Sequence, residues 1–476
     1  MISFHWLFLL LLTLVYLIIV FALAARLLLD NRSPSSTLVW LMVLIGLPVV
    51  GLILYFFFGR NYRKEKYISS QSLDQISKRS LFGYVEQRDL IIPEQHAELI
   101  RLFSNQNVAL PFKDNEMEIY EHGYEFFPAL LKAIAQAKNH IHLVVYIFEN
   151  DALGTLVSDA LIDKALQGVE VRVIYDYVGC WHVPSEFYER MREAGIDVHA
   201  FMPVKFPAFT SKVNYRNHRK LCVIDGEVGF IGGMNIATRY VKGKTDTPWR
   251  DTHMRIRGSA VYGIQTAFLV DWYFVDRSLV SGPAYYPENT SAVSNNCLAQ
   301  IVTSNPTSQW PEIMHGYVRI LMEAKKYVYI ETPYFLPTDP VLFAIRTCVL
   351  AGVDVRLVVP EHSDTRMVEW AGRSFIREAL EAGVKVYLYK EGFNHSKLLV
   401  CDDTLCSCGS TNVDFRSFEN NFEANVFVYD SDIVARMKAI IERDMERSQL
   451  IDATSYRSRI RVRLFESIVR LFSPLL

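Results

Sequence analysis

Several things are scarce in this chain. Cysteine is one: seven residues in 476, odd in number and scattered. That excludes a disulfide-stapled secreted scaffold and fits a reducing compartment. A surplus of one charge is also missing, since 50 Lys+Arg stand against 52 Asp+Glu. A protein whose main partner is nucleic acid usually carries a basic excess, so no nucleic-acid partner is expected. With 50% hydrophobic residues the chain is not disordered. Its length allows two or three domains and a large core.

Charge is absent altogether from two stretches. Met1 to Ala25 has no charged side chain, with His5 the one group whose ordinary pKa lies near neutrality, and Ser33 to Gly59 has no charged side chain either. Each exceeds the roughly 20 residues that span a bilayer core. A short polar turn, Arg26 to Arg32, joins them, so they read as a transmembrane hairpin with helices over about 4–25 and 35–58. Pro48 is a tolerable kink in the second. A cleaved signal peptide fits less well, because the first stretch lacks a charged n-region and a second span follows. Both stretches are too long for a buried soluble hairpin. Arg60, Arg63, Lys64 and Lys66 follow the second span and favour the cytoplasmic side. Arg26 and Arg32 in the turn oppose that assignment.

Beyond about residue 110 the chain repeats itself. Lys138–Asp176 reads as strand (141–148), helix (153–167) and strand (169–175). Lys325–Pro360 reads as strand (327–331), helix (340–350) and strand (353–359). Gly168-Val169-Glu170-Val171-Arg172-Val173 aligns with Gly352-Val353-Asp354-Val355-Arg356-Leu357, and Ala194-Gly195-Ile196-Asp197-Val198 with Ala382-Gly383-Val384-Lys385-Val386. Strands alternating with helices imply βαβ units and a largely parallel sheet. Two copies of about 185 residues imply a duplicated α/β domain rather than a solenoid. Polar Tyr285–Asn305 is the expected joint between the copies.

Each copy carries a His-x-Lys-x-x-x-x-Asp string: His218, Lys220 and Asp225, then His395, Lys397 and Asp402. Fourteen residues after each His begins a small-residue turn ending in Asn: Gly232-Gly233-Met234-Asn235 and Gly409-Ser410-Thr411-Asn412. Chance would supply on the order of 0.02 such His/Lys/Asp matches. On a strand, residues i and i+2 share a face, so each His and Lys point the same way. Asp225 and Asp402 fall at the strand end, and Asp225-Gly226 is a hairpin-turn dipeptide, so these two aspartates read as more structural than chemical.

Two His, two Lys and two Asn suit a phosphodiester. A neutral His attacks phosphorus and forms a phosphohistidine. The other His protonates the leaving alkoxide and then deprotonates the incoming alcohol or water. Lys220, Lys397, Asn235 and Asn412 stabilise charge on the non-bridging oxygens. No metal or cofactor is required; Cys401, Cys406 and Cys408 read as packed residues. Each His needs a partner that fixes its tautomer. Asp251, 33 residues after His218, and Glu423, 28 after His395, are the candidates.

These motifs resemble the phospholipase D superfamily, and more closely its bacterial cardiolipin synthase branch. The two-span N-terminus contributes to the likeness. So do Glu331-Thr332-Pro333-Tyr334-Phe335, Trp249-Arg250-Asp251-Thr252-His253, the stretch Gly409 to Phe418 with Arg416-Ser417-Phe418, Asn421-Phe422-Glu423, and the closing Arg470 to Leu476. The resemblance implies two phospholipase D-like halves sharing a central active site. The expected boundaries are 1–60 for the membrane hairpin, 61–110 for a linker, 111–290 and 291–450 for the halves, and 451–476 for a basic amphipathic tail. It also implies that phosphatidylglycerol gives its phosphatidyl group to His218, with His395 as acid/base, and that a second phosphatidylglycerol completes cardiolipin at a bacterial inner membrane. A phospholipase D-type hydrolase or a membrane-tethered nuclease remains the alternative, because spacing does not distinguish the acceptor. Two intact motifs argue against a non-catalytic scaffold.

Two further features bear on lipid. Lys205, Lys212, Arg216, Arg219, Arg239, Lys242 and Lys244 lie among Phe206, Phe209, Tyr215 and Tyr240, and read as a headgroup patch or as a solvated loop. In the tail, Ile460, Leu464, Ile468 and Leu471 line one helical face, extended by Phe465 and Phe472, with Arg459, Arg463, Arg470 and Glu466 opposite. This reads as an interfacial helix on anionic lipid, or as a helix packed on the domain.

Overall fold

The computed structural model describes residues 4–30, 34–59, 92–106, 109–204, 214–243, 247–287, 294–453, 456 and 459–476. Arg60, Arg63, Lys64, Lys66, Lys205, Phe206, Phe209, Lys212 and Lys244 lie outside them.

The N-terminal segment forms its own small unit. Phe4–Leu29 is one helix, and its part Trp6–Leu29 is long and apolar enough to cross a membrane. The second apolar stretch is not the single helix expected over 35–58. It is two helices, Pro34–Gly46 and Val50–Phe58. Pro48 lacks the N–H that would continue the ladder, and the chain turns through Val49 at φ 65°. Leu27, Leu44 and Tyr55 are buried together, and Tyr16 donates its hydroxyl to the Leu44 carbonyl at 2.6 Å.

The duplicated region has one sheet per copy. The first runs Asn115–Tyr120, His253–Gly258, Val228–Gly232, Leu221–Ile224, His140–Val145, Glu170–Asp176 and Asp197–Phe201. The second repeats that order with Ala299–Ser304, Asn421–Val428, Leu405–Gly409, Leu398–Cys401, Tyr327–Glu331, Asp354–Pro360 and Lys385–Tyr389. The strand–helix–strand units lie where the repeat put them, with helices at Ala152–Leu166 and Asp339–Leu350. Yet the sheets are mixed, not largely parallel. Three strands of each are parallel. The strand after each motif folds back as a hairpin and turns the rest antiparallel.

That hairpin depends on the motif aspartate. Asp225 and Gly226 both take positive φ, and Asp402 and Asp403 do the same. Asp225 accepts from the backbone N–H groups of Lys138, Asn139 and His140 at 2.7–2.9 Å. Asp402 does the same for Lys325, Lys326 and Tyr327. Each aspartate thus ties the turn of its hairpin to the start of the neighbouring parallel strand.

The stretch read as a linker over 61–110 contains a helix, Ala97–Gln106. Its Leu99, Ile100 and Phe103 are buried with Ile313 and Tyr317 in the core of the second copy. The tail forms a helix, Ile460–Arg470, packed on Arg366–Ala382.

Candidate active site

Three two-residue strands and the start of strand Asn421–Val428 assemble the site, and they pair across the halves. Arg216–Asn217 runs parallel to Asn421–Phe422, and Phe393–Asn394 runs parallel to Trp249–Arg250. The ladders continue one step further: His218 N–H donates to the Phe422 carbonyl at 2.9 Å, and His395 N–H to the Arg250 carbonyl at 2.7 Å. The next residue on each partner strand is a carboxylate. Glu423 therefore stands beside His218, and Asp251 beside His395.

The side chains bear this out. His218 Nδ1 lies 3.1 and 3.2 Å from the Glu423 oxygens and 3.1 Å from the Ser410 carbonyl. His395 Nδ1 lies 2.7 Å from Asp251 Oδ2. With acceptors at Nδ1, the ring hydrogen sits there, and Nε2 carries the lone pair. Counting from the nearer motif pairs Asp251 with His218; the fold pairs each histidine with the carboxylate of the other copy.

The one difference between the two small-residue turns has a physical reason. A Cβ on Gly233 would lie 2.1 Å from Asp251 Oδ1. Ser410, at the matching position, instead donates its hydroxyl to Glu423. An Asp needs the space that glycine leaves; a Glu reaches past the serine and uses it.

Both lysines are buried beside their histidines. Lys220 Nζ donates to the His218 carbonyl at 2.5 Å, and Lys397 Nζ donates to the His395 carbonyl. Lys397 Nζ is also 2.9 Å from His395 Nδ1. That nitrogen already gives its one hydrogen to Asp251, so the lysine acts there as a nearby charge. Asn235 and Asn412 line the same cleft but are engaged: Asn235 donates to Tyr240 Oη at 2.7 Å and accepts from Ile147 N–H at 3.0 Å, and Asn412 donates to Asp414 at 2.9 Å. Each amide nitrogen carries a second hydrogen beyond these bonds. Asp225 and Asp402 bond backbone at the far ends of their strands.

Burial shapes the protonation states. It pulls His395 down to about 4, with Lys397 adding to the fall and Asp251 opposing it. Burial and Lys220 lower His218, against Glu423. Burial brings Lys220 to about 7, against the pull of Glu423, and it lowers Lys397 too. For Asp251 and Glu423 burial favours the neutral form, but the cations beside them outweigh it and both carboxyls stay below their usual range. Near neutrality the site therefore holds two neutral imidazoles, each hydrogen-bonded to a carboxylate.

The cleft holds about 340 Å³. His395 sits among aromatic rings, with Trp249 and Phe393 at 5.6 Å, Tyr240 at 6.1 Å and Tyr334 at 6.2 Å between centroids. Tyr146 meets His218 edge-on at 5.0 Å. The asparagine before each histidine was missed in the sequence. Asn217 donates to buried Asp271 at 2.9 Å and Asn394 to buried Glu331 at 2.7 Å. Its signal was the Asn-His pair present in both copies.

Of the basic residues in the patch, Arg216, Arg219, Arg239 and Lys242 are described, and of these Lys242 is exposed. Arg216 is buried against Asp176, and Arg219 pairs with buried Asp271 at 2.5 Å. Tyr215 and Tyr240 are buried. Arg239 lines the cleft and pairs with Glu149 at 2.7 Å. Among the described residues, no group of three or more His, Cys, Asp or Glu is arranged to hold a metal. Cys401, Cys406 and Cys408 are free and buried.

Comparison with known proteins gives the family. A family described as "Cardiolipin synthase, PLD-like domain" matches twice, over residues 130–258 and 317–445. A phospholipase D-nuclease N-terminal family matches residues 6–60. Cardiolipin synthase 2 of Bacillus cereus is 40% identical over 453 residues, covering 94% of this chain and 88% of its own. The major cardiolipin synthase ClsA of Bacillus subtilis is 38% identical over 460 residues, covering 94% and 95%. Among solved structures, phosphatidylserine synthase of Haemophilus influenzae shares the fold, with a TM-score of 0.61 at 16% identity over 80% of this chain and 100% of that one. With both matched domains carrying half of one two-histidine cleft, the chain belongs to the cardiolipin synthase family of phospholipase D-like enzymes.

Proposed function

We propose that the protein joins two phosphatidylglycerol molecules into cardiolipin and glycerol through a phosphatidyl-histidine intermediate. One observation carries this reading: two neutral histidines share a cleft, each fixed by a carboxylate of the other half. The curated relatives named cardiolipin synthase support the choice of product.

His218 Nε2 attacks phosphorus, the bond to the glycerol headgroup breaks, and His395 gives that alkoxide a proton. His395 starts with a low proton affinity. A bound phosphodiester anion raises it, so Nε2 takes up a proton from solvent as the substrate binds, and Asp251 stabilises the imidazolium. Lys220, Lys397 and the free amide hydrogens of Asn235 and Asn412 face the charge that builds on the non-bridging oxygens. The terminal hydroxyl of a second phosphatidylglycerol then loses its proton to His395 and attacks phosphorus. The bond to His218 breaks and the site is restored.

The apolar N-terminal stretches support anchoring by two spans in a bacterial inner membrane. The basic run from Arg60 to Lys66 supports a cytoplasmic catalytic unit. The anionic lipid is both substrate and surroundings.

The test is the purified chain in phosphatidylglycerol liposomes with a chelator, read by lipid mass spectrometry. Cardiolipin and glycerol in equal amounts are expected. Phosphatidic acid alone would replace the transferase with a hydrolase.

A further inference from the structure

The tail helix Ile460–Arg470 is mounted in reverse for a protein in water. An amphipathic helix on a soluble domain turns its apolar stripe inward. Here the inward face carries Glu466 and Val469, both buried. Glu466 pairs with Arg377 of the helix beneath. The Arg470 guanidinium lies 3.9 Å from the centroid of the Phe375 ring and pairs with Glu378 at 2.8 Å. The apolar stripe points out: Ile460, Leu464, Ile468 and Leu471 are 81%, 64%, 48% and 77% exposed. Phe465 and Phe472 are exposed beside them.

Two further observations say what covers the stripe. Arg459, Arg461 and Arg463 are exposed at the start of the helix, which favours a phosphate-bearing surface over an apolar protein partner. The segment that follows leads to the cleft: Asn420 donates to the Pro474 carbonyl at 3.5 Å, and Leu476 lines the same cavity as His218 and His395.

We propose that the tail helix lies in the surface of an anionic bilayer, with its Ile460–Leu464–Ile468–Leu471 stripe among acyl chains and its arginines at the phosphates, holding the cleft against the headgroups. The proposal rests on the lipid-transferase reading for the identity of the surface. The buried Glu466–Arg377 pair fixes the helix to the catalytic unit, so a helix seated in lipid also orients that unit.

The test uses the full chain in vesicles of phosphatidylglycerol and phosphatidylcholine. The native cysteines are buried, so a nitroxide placed through Leu464→Cys reports that site, and Lys132→Cys on an exposed position of another helix serves as the aqueous reference. The Leu464 probe should collide preferentially with oxygen, and the Lys132 probe with a water-soluble nickel chelate. A Leu464→Asp, Ile468→Asp double variant changes two exposed positions. It should turn over bilayer phosphatidylglycerol about tenfold more slowly while handling monomeric short-chain phosphatidylglycerol at the wild-type rate. Ready access of the nickel chelate to Leu464 would overturn the proposal, as would shielding from both reagents, which would mean contact with a second protein copy. So would an unchanged bilayer rate in the double variant. If the wild type turned over no phosphatidylglycerol, the transferase reading would fall, and the collision measurement would still decide the helix.

Discussion

The two arms of the cleft share a backbone plan and differ in how the space behind each histidine is filled. In one, Nδ1 of His218 has two acceptors, Glu423 and the Ser410 carbonyl. In the other, Nδ1 of His395 relies on Asp251, at the shorter distance of 2.7 Å. A longer acid is matched to serine and a shorter one to glycine. The pair of positions, rather than either residue, preserves the geometry. The arm with a single acceptor depends more on its carboxylate.

Removing either nucleophile-class ring should have the largest effect. His218→Ala and His395→Ala are each expected to lower cardiolipin formation by about 10⁴-fold, measured as turnover in phosphatidylglycerol vesicles. An equal residual rate in both would mean the two arms act as one unit. Next come the carboxylates. Asp251→Asn should cost about 10²–10⁴-fold in kcat, and Glu423→Gln less, because His218 keeps the Ser410 carbonyl. A reversed order would break the contrast between one acceptor and two.

The turns should respond unequally. Gly233→Ser forces a side chain against Asp251 and should reduce kcat at least about tenfold. Ser410→Gly removes one hydrogen bond to Glu423, worth about 1 kcal/mol, and should cost only a few-fold in the same assay.

Acidity offers a further contrast. Burial pulls Lys220 down to about 7, so its charge is present below that pH and lost above it. The kcat/KM profile should fall on the alkaline side from near neutrality. Lys220→Arg, which stays charged, should carry that limb to higher pH. An unmoved limb would assign it to another group.

The smallest effect on chemistry is expected at the motif aspartates. Asp225→Ala or Asp402→Ala removes an acceptor of three backbone N–H groups. Each should destabilise the fold by about 1–3 kcal/mol, seen as a lower Tm, with turnover per folded molecule near wild type.

The two motif pairs were legible because they are written locally. His218/Lys220 and His395/Lys397 recur at one spacing, and Asp225-Gly226 announces its own hairpin. The pairing of acids with histidines was not legible. It is set by the register of cross-half ladders only two residues long, which leave no periodic signal. Sequence distance favoured Asp251 for His218, and a cross-half ladder overrode it. The reversed mounting of the tail was hidden for a similar reason. A helical wheel shows two faces, but which one docks depends on Arg377 and Phe375, far off in the chain. Arg216 and Arg219 looked like surface charge until Asp176 and Asp271 met them inside.

The crossed ladders also set when this enzyme can first act. His218 meets its acid 205 residues later, and His395 meets one 144 residues earlier. Contacts so distant in sequence close late in folding, after the local strand–helix units have formed. A chain emerging from the ribosome past His218 alone has neither the acid nor the second ring. Its first apolar stretch is made before the two halves of the cleft can meet, and the two-histidine cleft appears only when the last crossing strand is in place.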